Sequence, residues 1–498
     1  MDYFQIFCAI AVAILSLYYY YTATYDYWKN RGIPGPKPAI VVGNFFNVFT
    51  QKKSINDKVK EWYRQYKNEP VFGIYEGSTP ILVINDLDMI KDVLIRDFSV
   101  FVNRGFRTFP EIEPLSQHLF LLEAERWRPL RAKLSPIFTS GKLKEMFPLI
   151  VQSAESLDKY LDQVAESGQS VECRDLAAKF TTDIIGSCAF GINMNALSDE
   201  ESEFRRMGRQ IFEKSLRQRA KNCCRQFSPF LYRTFGSYLQ DHEVTTFFIN
   251  LINDTVKYRK ENNVSRPDFI NMLMELQEHP EKIDNIKLKG ALLTAQAFVF
   301  FIAGFETSST TISFALYELA QNQDIQDKLR EEIRETYSQN NGALTYEQLK
   351  GMKYLDKVFK ETLRKYPVLS MLAREATENY SFRGTKISLP KKAKVWIPVY
   401  GIQTDPNIYP KPEVFDPERF DESAVAARHP MSYLPFGDGP RNCIGSRFAI
   451  NQSKVGITTV IRNHRVSVCE KTQIPFVTDP AAFTLTLKGG VHLKISSV

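Results

Sequence analysis

One cysteine lies in a loop that is rich in glycine. Residues 435–449 read PFGDGPRNCIGSRFA, and Cys443 follows Arg441 by two positions. Gly437 and Gly439 indicate a tight, non-repetitive loop, and a helical pattern begins after the cysteine. A sulfur near a helix N-terminus meets oriented N–H groups and the positive end of the helix dipole. We therefore expect a lowered thiol pKa and a thiolate at this position.

The residues next to this cysteine limit the kinds of ligand that it can bind. Phe436 can place an aromatic ring beside the sulfur, and Arg441 offers a cation to a carboxylate. A thiolate with N–H donors, a cation and an apolar lid suits a single cysteine ligand to haem iron. No second Cys or His lies at metal-clip spacing, which disfavours zinc. The alternative is a structural cysteine buried where a helix starts.

The loop also resembles a known signature. Residues 436–445 read FGDGPRNCIG and resemble the complete haem-thiolate signature of the cytochrome P450 superfamily, F-x-x-G-x-R-x-C-x-G. The resemblance implies that Cys443 is the iron ligand of haem b. It also implies that Phe436, Gly437 and Gly445 surround the cofactor.

A second motif lies in the apolar run over residues 291–317, where Glu306 is the only charged residue. A transmembrane span is the alternative, but a Glu at mid-bilayer costs on the order of 2–3 kcal/mol, so a buried helix is favoured. Residues 303–308, AGFETS, resemble the oxygen-binding motif of the same family. The resemblance implies that O2 binds here, that Gly304 lets the helix approach the porphyrin, and that Thr307 and Glu306 deliver protons.

Several aromatic and basic residues resemble the family's propionate partners. Trp127 and Arg131 fit W-x-x-x-R, and their i, i+4 spacing puts both side chains on one helical face. With Arg374 and Arg441, they are expected to bind the haem propionates. Taken singly, each of these arginines would be an ordinary surface residue.

Glu361 and Arg364 fit the family's E-x-x-R motif. Residues three apart share a helix face, so the pair can form a charge-assisted hydrogen bond. Arg419, in the sequence PERF, would complete a structural network of three side chains behind the haem. A solvated surface pair is the alternative for any such spacing.

The resemblance also indicates where a substrate pocket lies and predicts a large apolar one. The candidate residues are Phe101, Phe106, Phe109, Phe120, Phe298, Phe301, Ala303, Leu369, Leu372 and Phe483. Aromatic residues at such positions are equally often ordinary core residues.

The first residues predict a membrane anchor. Residues 3–21 are almost wholly apolar, no charge lies between Asp2 and Asp26, and about 20 helical residues span a bilayer. Tyrosines and Trp28 crowd the far end, as in an interfacial aromatic belt, and the basic residues that follow place the body of the protein in the cytoplasm. A cleaved signal is the alternative, disfavoured because Asp2 stands where a basic residue is expected.

The remaining pattern predicts a mainly α protein with a minor β part, which is the cytochrome P450 fold that the resemblance implies. We expect a membrane anchor over 1–28, a proline-rich hinge over 29–40 and one haem-thiolate monooxygenase domain over 41–498. Helical periodicity marks residues 142–165, 201–219, 283–337, 349–366 and 444–462. Alternating apolar residues predict hairpins over 71–84 and 483–495.

Composition excludes several classes of protein. Of the 498 residues, 44% are hydrophobic and 24% charged, which excludes a disordered, collagenous or disulfide-scaffold protein. The net charge of +7 is too small to indicate nucleic acid, and fits anionic lipid or an acidic protein partner. Seven cysteines without regular spacing favour a reducing compartment.

The reaction that the resemblance implies is monooxygenation of a lipophilic small molecule. No nucleotide-binding glycine motif accompanies the haem motifs, so the chain must receive its electrons from another protein. The resemblance to membrane-anchored members of the family implies that NADPH–cytochrome P450 reductase supplies them from NADPH. That reductase is expected to dock around Arg126, Arg128 and Lys133, with cytochrome b5 as a second donor and the endoplasmic reticulum as the membrane. Residues 217–235 mix basic and apolar side chains, which suits a loop in the lipid headgroups or a solvated basic loop.

Residues 125–142 are most similar to the insect microsomal family 6, which implies oxidation of plant toxins and insecticides. A dedicated hormone or lipid hydroxylase would carry the same motifs. A haem-thiolate isomerase or dehydratase is disfavoured by the intact Glu306–Thr307 pair. A catalytically silent haem sensor or lipid-binding protein is the alternative that is not an enzyme.

Overall fold

A computed structural model describes residues 3–192, 194–197, 203–211, 215–266, 268–283 and 286–498. The α-helices are α1 Tyr3–Thr22, α2 Phe46–Phe49, α3 Ile55–Tyr66, α4 Leu87–Lys91, α5 Ala124–Leu134, α6 Ser140–Ser167, α7 Cys173–Ile185, α8 Glu203–Ile211, α9 Leu216–Phe227, α10 Pro229–Leu239, α11 His242–Glu261, α12 Phe269–Glu278, α13 Ala291–Gln321, α14 Gln323–Ser338, α15 Tyr346–Gly351, α16 Lys353–Lys365, α17 Val399–Gln403, α18 Glu422–Ala426 and α19 Ser446–Asn463. The strands are β1 Val71–Glu76, β2 Thr79–Ile84, β3 Ser170–Glu172, β4 Leu372–Glu375, β5 Tyr380–Ser381, β6 Ser388–Leu389, β7 Lys394–Ile397, β8 His464–Val468 and β9 His492–Ser497.

The strands form small sheets beside a large helical body, so the predicted fold class is confirmed. One sheet has the order β1-β2-β7-β4, a second has the order β3-β9-β8, and β5 pairs with β6. Strands β1 and β2 are antiparallel, with Val71 opposite Ile84, as the hairpin prediction requires. The parallel pairing of β2 with β7 joins this hairpin to the strand that carries Arg374, because β7 also pairs with β4.

The predicted hairpin near the C-terminus is wrong. Strand β9 pairs with β8 and β3, and residues 483–487 form no strand. Gly489 and Gly490 both have positive φ, +84° and +86°, and turn the chain into β9. The partners of β9 therefore come from distant parts of the sequence, which a local alternation of apolar residues does not reveal.

Helix α13 runs through the interior of the domain. It packs most extensively on α7 and α19, and 22 of its 31 residues are buried. Helices α1 and α13 are both long and apolar enough to cross a membrane among the described residues, but 56% of the most apolar window of α13 is buried within the protein. The interpretation of this run as a core helix is thus favoured over a second span.

Two predicted helices are divided in the structure. The run over 283–337 separates into α13 and α14 at Asn322, whose side-chain Nδ2 donates to the Glu318 carbonyl oxygen at 2.8 Å and competes with helix continuation. The run over 201–219 separates into α8 and α9. Residues 217–235, predicted as a loop, lie mostly in α9 and α10.

The N-terminal segment separates into an exposed helix and a docked strap. No side chain of α1 is buried, whereas Trp28 is 3% exposed and its Nε1 donates to the Ile74 carbonyl oxygen at 3.3 Å. A Cβ at Gly73 would lie 2.2 Å from the Trp28 ring, so the indole rests directly on β1. Farther along, the Gly73 N–H donates to the Pro34 carbonyl oxygen at 2.8 Å.

This docking corrects the interfacial position predicted for Trp28, which belongs to the domain core. The boundary predicted at residue 28 moves toward the N-terminus for the same reason. Part of the predicted hinge over 29–40 is also held against β1.

The docking of Trp28 predicts a stability effect. Trp28→Ala should destabilise the domain by about 3–5 kcal/mol, because it leaves a cavity over Gly73 and removes the indole hydrogen bond. Thermal unfolding in detergent measures this, with Tyr20→Ala, on the exposed surface of α1, as the control. Equal unfolding temperatures for the two variants would contradict the docking.

Candidate active site

The loop before α19 is shaped by two glycines. Gly437 and Gly439 have φ of +67° and +72°, and a Cβ at Gly439 would lie 1.8 Å from the Leu94 carbonyl oxygen. The chain then folds back, so that the Cys443 N–H donates to the Phe436 carbonyl oxygen at 2.9 Å. This geometry presents the cysteine just before the first turn of α19.

The sulfur of Cys443 opens into a large cavity rather than into packed core. This central cavity lies between the cysteine loop, α5, α13 and β4. Burial raises the pKa of the Cys443 thiol, opposed by the Gly445 N–H and by the charges of Arg131 and Arg104. This direction is opposite to the predicted lowering, because loss of solvation outweighs the helix terminus.

Four guanidinium groups converge on the same cavity. Arg104, Arg131, Arg374 and Arg441 all line it, and no Asp or Glu is found among its described lining residues. Burial lowers the pKa of Arg104 and Arg441 to about 9 and that of Arg374 to about 10, and repulsion between the arginines acts in the same direction.

Neutral carbonyl and amide oxygens accept some, but not all, of the hydrogen bonds that these arginines can donate. Arg441 donates to the carbonyl oxygens of Val102 and Leu122, and its guanidinium lies 4.8 Å from the ring of Trp127. Arg131 donates to the carbonyl and side-chain oxygens of Asn442 at 2.9 and 2.8 Å.

The Nε atoms of Arg104, Arg374 and Arg441 are buried and have no hydrogen-bond partner among the described residues. Such a set of desolvated cations calls for an anionic ligand that carries about two charges.

The residues present therefore fit haem. A sulfur, a broad apolar cavity and unpaired arginines match the iron, the porphyrin ring and the two propionates of that cofactor. Phe436, Gly437 and Gly445 all line the cavity next to Cys443, and Trp127 of α5 lines it beside Arg441.

Thr307 and Glu306 face different cavities. Thr307 lines the central cavity, and its Oγ1 donates to the Ala303 carbonyl oxygen at 2.7 Å. Glu306 is 4% exposed, forms an ion pair with Arg174 of α7 and lines a second cavity between α7, α8, α9 and residues 481–486. Adjacent helical residues point about 100° apart, which lets these two side chains reach different cavities. The two residues that are predicted to deliver protons therefore line different cavities.

Gly304 also has a packing role that the sequence analysis did not predict. Its backbone lines the central cavity, but a Cβ at this position would lie 2.0 Å from Cδ1 of Ile185 on α7. The missing side chain therefore allows α13 and α7 to pack closely.

Glu361, Arg364 and Arg419 meet in the core below the cysteine loop. Arg364 donates from Nε and Nη2 to the two carboxylate oxygens of Glu361, both at 2.7 Å. Arg419 Nε lies 3.5 Å from Glu361 Oε1, and the Asp416 N–H donates to Glu361 at 3.0 Å. Burial raises the pKa of Glu361, opposed first by the bonds from Arg364. The alternative of a solvated surface pair is excluded, since Glu361 and Arg364 are both inaccessible to solvent.

Comparison with known proteins decides the family. The family model "Cytochrome P450" matches residues 33–493. The chain belongs to the cytochrome P450 family. Among curated relatives, it is 43% identical to "Probable cytochrome P450 6a14" of Drosophila melanogaster, with 98% of this chain and 99% of the relative covered. It is 41% identical to "Cytochrome P450 6A1" of Musca domestica, with 99% and 98% covered.

Membership establishes the chain as a cytochrome P450 monooxygenase of the insect family 6 type, with the use of haem and O2 that characterises these enzymes. The predicted family and its branch are confirmed.

Four predicted pocket residues of this P450 line the central cavity: Phe120, Ala303, Leu369 and Leu372. Phe106 is not among the lining residues but its ring stacks on that of Phe120, with centroids 6.0 Å apart. Four of the ten predicted pocket residues thus line the cavity, and their contact with a substrate stays a prediction.

The other pocket predictions are wrong. Phe101 packs against Tyr380, and Phe109 packs against Tyr232. Phe298 and Phe301 both pack against Phe248 on the far side of α13. Phe483 lies in the second cavity, beside Glu306.

The helical phase of α13 explains why Phe298 and Phe301 do not line the central cavity, and it identifies residues that the sequence analysis did not predict. Steps of three and four back from Thr307 reach Ala303, Phe300 and Gln296, and all of these line the central cavity. Arg104 was also missed, because no recognised motif includes it and the loop around it gives no periodic signal.

The buried network predicts a large effect of one substitution. Glu361→Gln should destabilise the P450 by about 3–5 kcal/mol, because it leaves the Arg364 charge buried and unpaired. The midpoint of thermal unfolding measures this, and Glu347→Gln, an exposed residue whose weak pair spans 3.4 Å, should change it little. A midpoint for Glu361→Gln that equals the control would refute the structural role of the network.

Proposed function

We propose that this P450 oxidises lipophilic foreign compounds, such as plant toxins and insecticides, with electrons that NADPH supplies through a reductase. The observation that carries the proposal is the central cavity, whose sulfur and unpaired arginines fit haem beside apolar walls of Phe120, Phe300 and Leu369. The family 6 relatives support the same substrate class.

The residues divide into a group that holds haem and a group that faces the substrate. Haem, when bound, supplies the site at which O2 is reduced and activated. Cys443 is proposed to ligate the iron, and Trp127 with the four arginines to bind the propionates. The aromatic walls orient the substrate and exclude water.

Thr307 is proposed to control protons at the O2 site. Its hydroxyl donates to the Ala303 carbonyl oxygen and can accept a hydrogen bond from a water molecule in the cavity. Glu306 lies at the second cavity, where it can exchange protons with solvent once it separates from Arg174. The proposed proton supply therefore starts in the second cavity and reaches the central cavity across α13.

The reductase is proposed to dock on the basic face of α5. Arg128 and Lys133 are exposed there, and Arg131 of the same helix contacts Asn442, next to Cys443. Electrons that enter at this face have a short path to the sulfur. Cytochrome b5 is proposed as a second donor for the same surface.

The membrane of the endoplasmic reticulum is the proposed location, with the catalytic domain in the cytoplasm. The exposed apolar helix α1 would span the bilayer. On α10, Phe230 and Tyr238 are about 80% exposed (78% and 80%), which supports contact of this helix with lipid.

Labelled dioxygen tests the reaction class directly. The P450, reconstituted with reductase and NADPH, should place one labelled oxygen atom in products from furanocoumarins, terpenoids or pyrethroids. Mass spectrometry detects the label. Turnover of fatty acids alone would overturn the xenobiotic assignment, and NADPH consumption without any labelled product would overturn the oxygenase assignment.

The role of Thr307 predicts uncoupling. Thr307→Ala should keep NADPH consumption but lower product per NADPH by at least about tenfold, with peroxide released instead, because proton delivery is lost. Thr310→Val is the matched control, since Thr310 is buried in the same helix and does not line the central cavity. Unchanged coupling in Thr307→Ala would remove the proton role.

A further inference from the structure

One loop covers part of the central cavity. This roof loop, residues 103–124, is closed at its ends by the Ala124 N–H, which donates to Asn103 Oδ1 at 2.9 Å. It contributes Arg104, Leu119 and Phe120 to the cavity wall. The position of this loop therefore affects the shape of the space that a substrate can occupy.

Phe120 is the large apolar group that the roof loop places in the cavity. The Arg104 guanidinium lies 4.1 Å from its ring centroid, and the Phe106 ring stacks on it. Both of these partners belong to the roof loop itself. Contacts within the loop cannot fix its height above the rest of the cavity, so an attachment to another element is required.

Besides the bonds of this loop to Arg441, Gln296 of α13 provides such an attachment. Its Oε1 accepts from the Leu119 N–H at 2.8 Å, and its Nε2 donates to the Gln117 carbonyl oxygen at 2.8 Å. A third bond, from Nε2 to the Leu292 carbonyl oxygen at 3.0 Å, fixes the side-chain amide on its own helix. Gln296 is inaccessible to solvent, so its bonds to the loop do not compete with water.

Gln296 lies far from Thr307, where the reaction is proposed to take place. It lies 11 residues before Thr307 on the same helix, which is about 16 Å along the axis. A group at that distance cannot touch the reacting oxygen, but it can determine how the far end of a ligand is enclosed.

The other half of the roof loop is held independently. Glu113 accepts from the Tyr232 hydroxyl at 2.9 Å and pairs with Lys221 at 2.8 Å, which ties it to α10 and α9. Loss of Gln296 would therefore release residues 117–120 and leave the rest of the loop in place.

We propose that Gln296 is a positioning residue that holds Phe120 over the central cavity, through the backbone of residues 117–119, and so selects lipophilic ligands by size and shape. This inference rests on the proposed function of the cavity as a site for lipophilic substrates. The role is distinct from catalysis and from haem binding.

Amide hydrogen exchange tests the positioning on the protein itself. Gln296→Met keeps the length of the side chain and removes its bonds to the loop, so the Leu119 amide should exchange at least about fivefold faster. Thr294→Val is the matched control, because Thr294 is equally buried on α13 and its hydroxyl has no partner. Unchanged exchange at Leu119 in Gln296→Met would overturn the proposal.

Ligand binding tests the consequence for selectivity. Imidazole and 4-phenylimidazole both bind haem iron, but only the second has an apolar group that can reach the cavity walls. In the haem-loaded enzyme, Gln296→Met should change the ratio of their dissociation constants by at least about threefold, the effect of losing part of one aromatic contact. Thr294→Val should leave that ratio unchanged.

The outcomes separate this inference from the proposed function. Faster exchange at Leu119 with an unchanged ratio would overturn the selectivity role. An altered ratio, with the same carbon monoxide spectrum as the unsubstituted enzyme, would support the inference whichever compounds prove to be substrates. Failure of the enzyme to oxidise foreign compounds would overturn the proposed function and leave the exchange result standing.

Discussion

Four guanidinium groups surround one apolar cavity, and the described residues that line it include no carboxylate to neutralise them. Desolvation and mutual repulsion lower the pKa of Arg104, Arg374 and Arg441. A folded domain tolerates such an arrangement only if a ligand supplies negative charge. The two propionates of haem would meet this requirement, and Cys443 is proposed to ligate the iron at the same cavity. The other features of the site follow from this electrostatic constraint.

The fold brings these charges together from distant parts of the chain. Arg104 comes from the roof loop, Arg131 from α5, Arg374 from β4 and Arg441 from the cysteine loop. Two rigid parts of the structure fix the relative positions of these segments. The buried Glu361–Arg364 pair anchors the core below the cysteine loop, and the β2–β7–β4 pairing fixes the strand that carries Arg374. Helix α13 forms the opposite support, with Thr307, Ala303 and Gln296 along one face.

The sequence predicted the features that depend on local spacing. The cysteine loop, the E-x-x-R pair and the hairpin over 71–84 each combine residue types with a fixed short separation, and the structure contains all three. Trp28 was misplaced because an aromatic residue after an apolar helix suits a lipid interface and a protein core equally well. The C-terminal hairpin failed because β9 takes its partners from β3 and β8, far away in sequence.

The predictions for the pocket also failed where the outcome depends on tertiary packing rather than on local spacing. On α13, the resemblance pointed to Phe298 and Phe301, whereas the helical phase set by Thr307 selects Phe300 and Gln296. For Glu306, adjacency in sequence suggested adjacency in space, although consecutive helical side chains point in different directions. For Cys443, the helix terminus favours the thiolate, but the loss of solvation in the cavity outweighs it. These outcomes depend on tertiary packing, which a single sequence does not display.

The carbon monoxide difference spectrum of the dithionite-reduced protein tests the central claim most directly. The account predicts the strongly red-shifted Soret band of thiolate-ligated haem in the unsubstituted chain. It predicts loss of that band in Cys443→Ser, under conditions where circular dichroism shows that the helical fold persists. A haem-loaded protein without this band, or a Cys443→Ser variant that retains it, would contradict the assignment of the sulfur as the iron ligand.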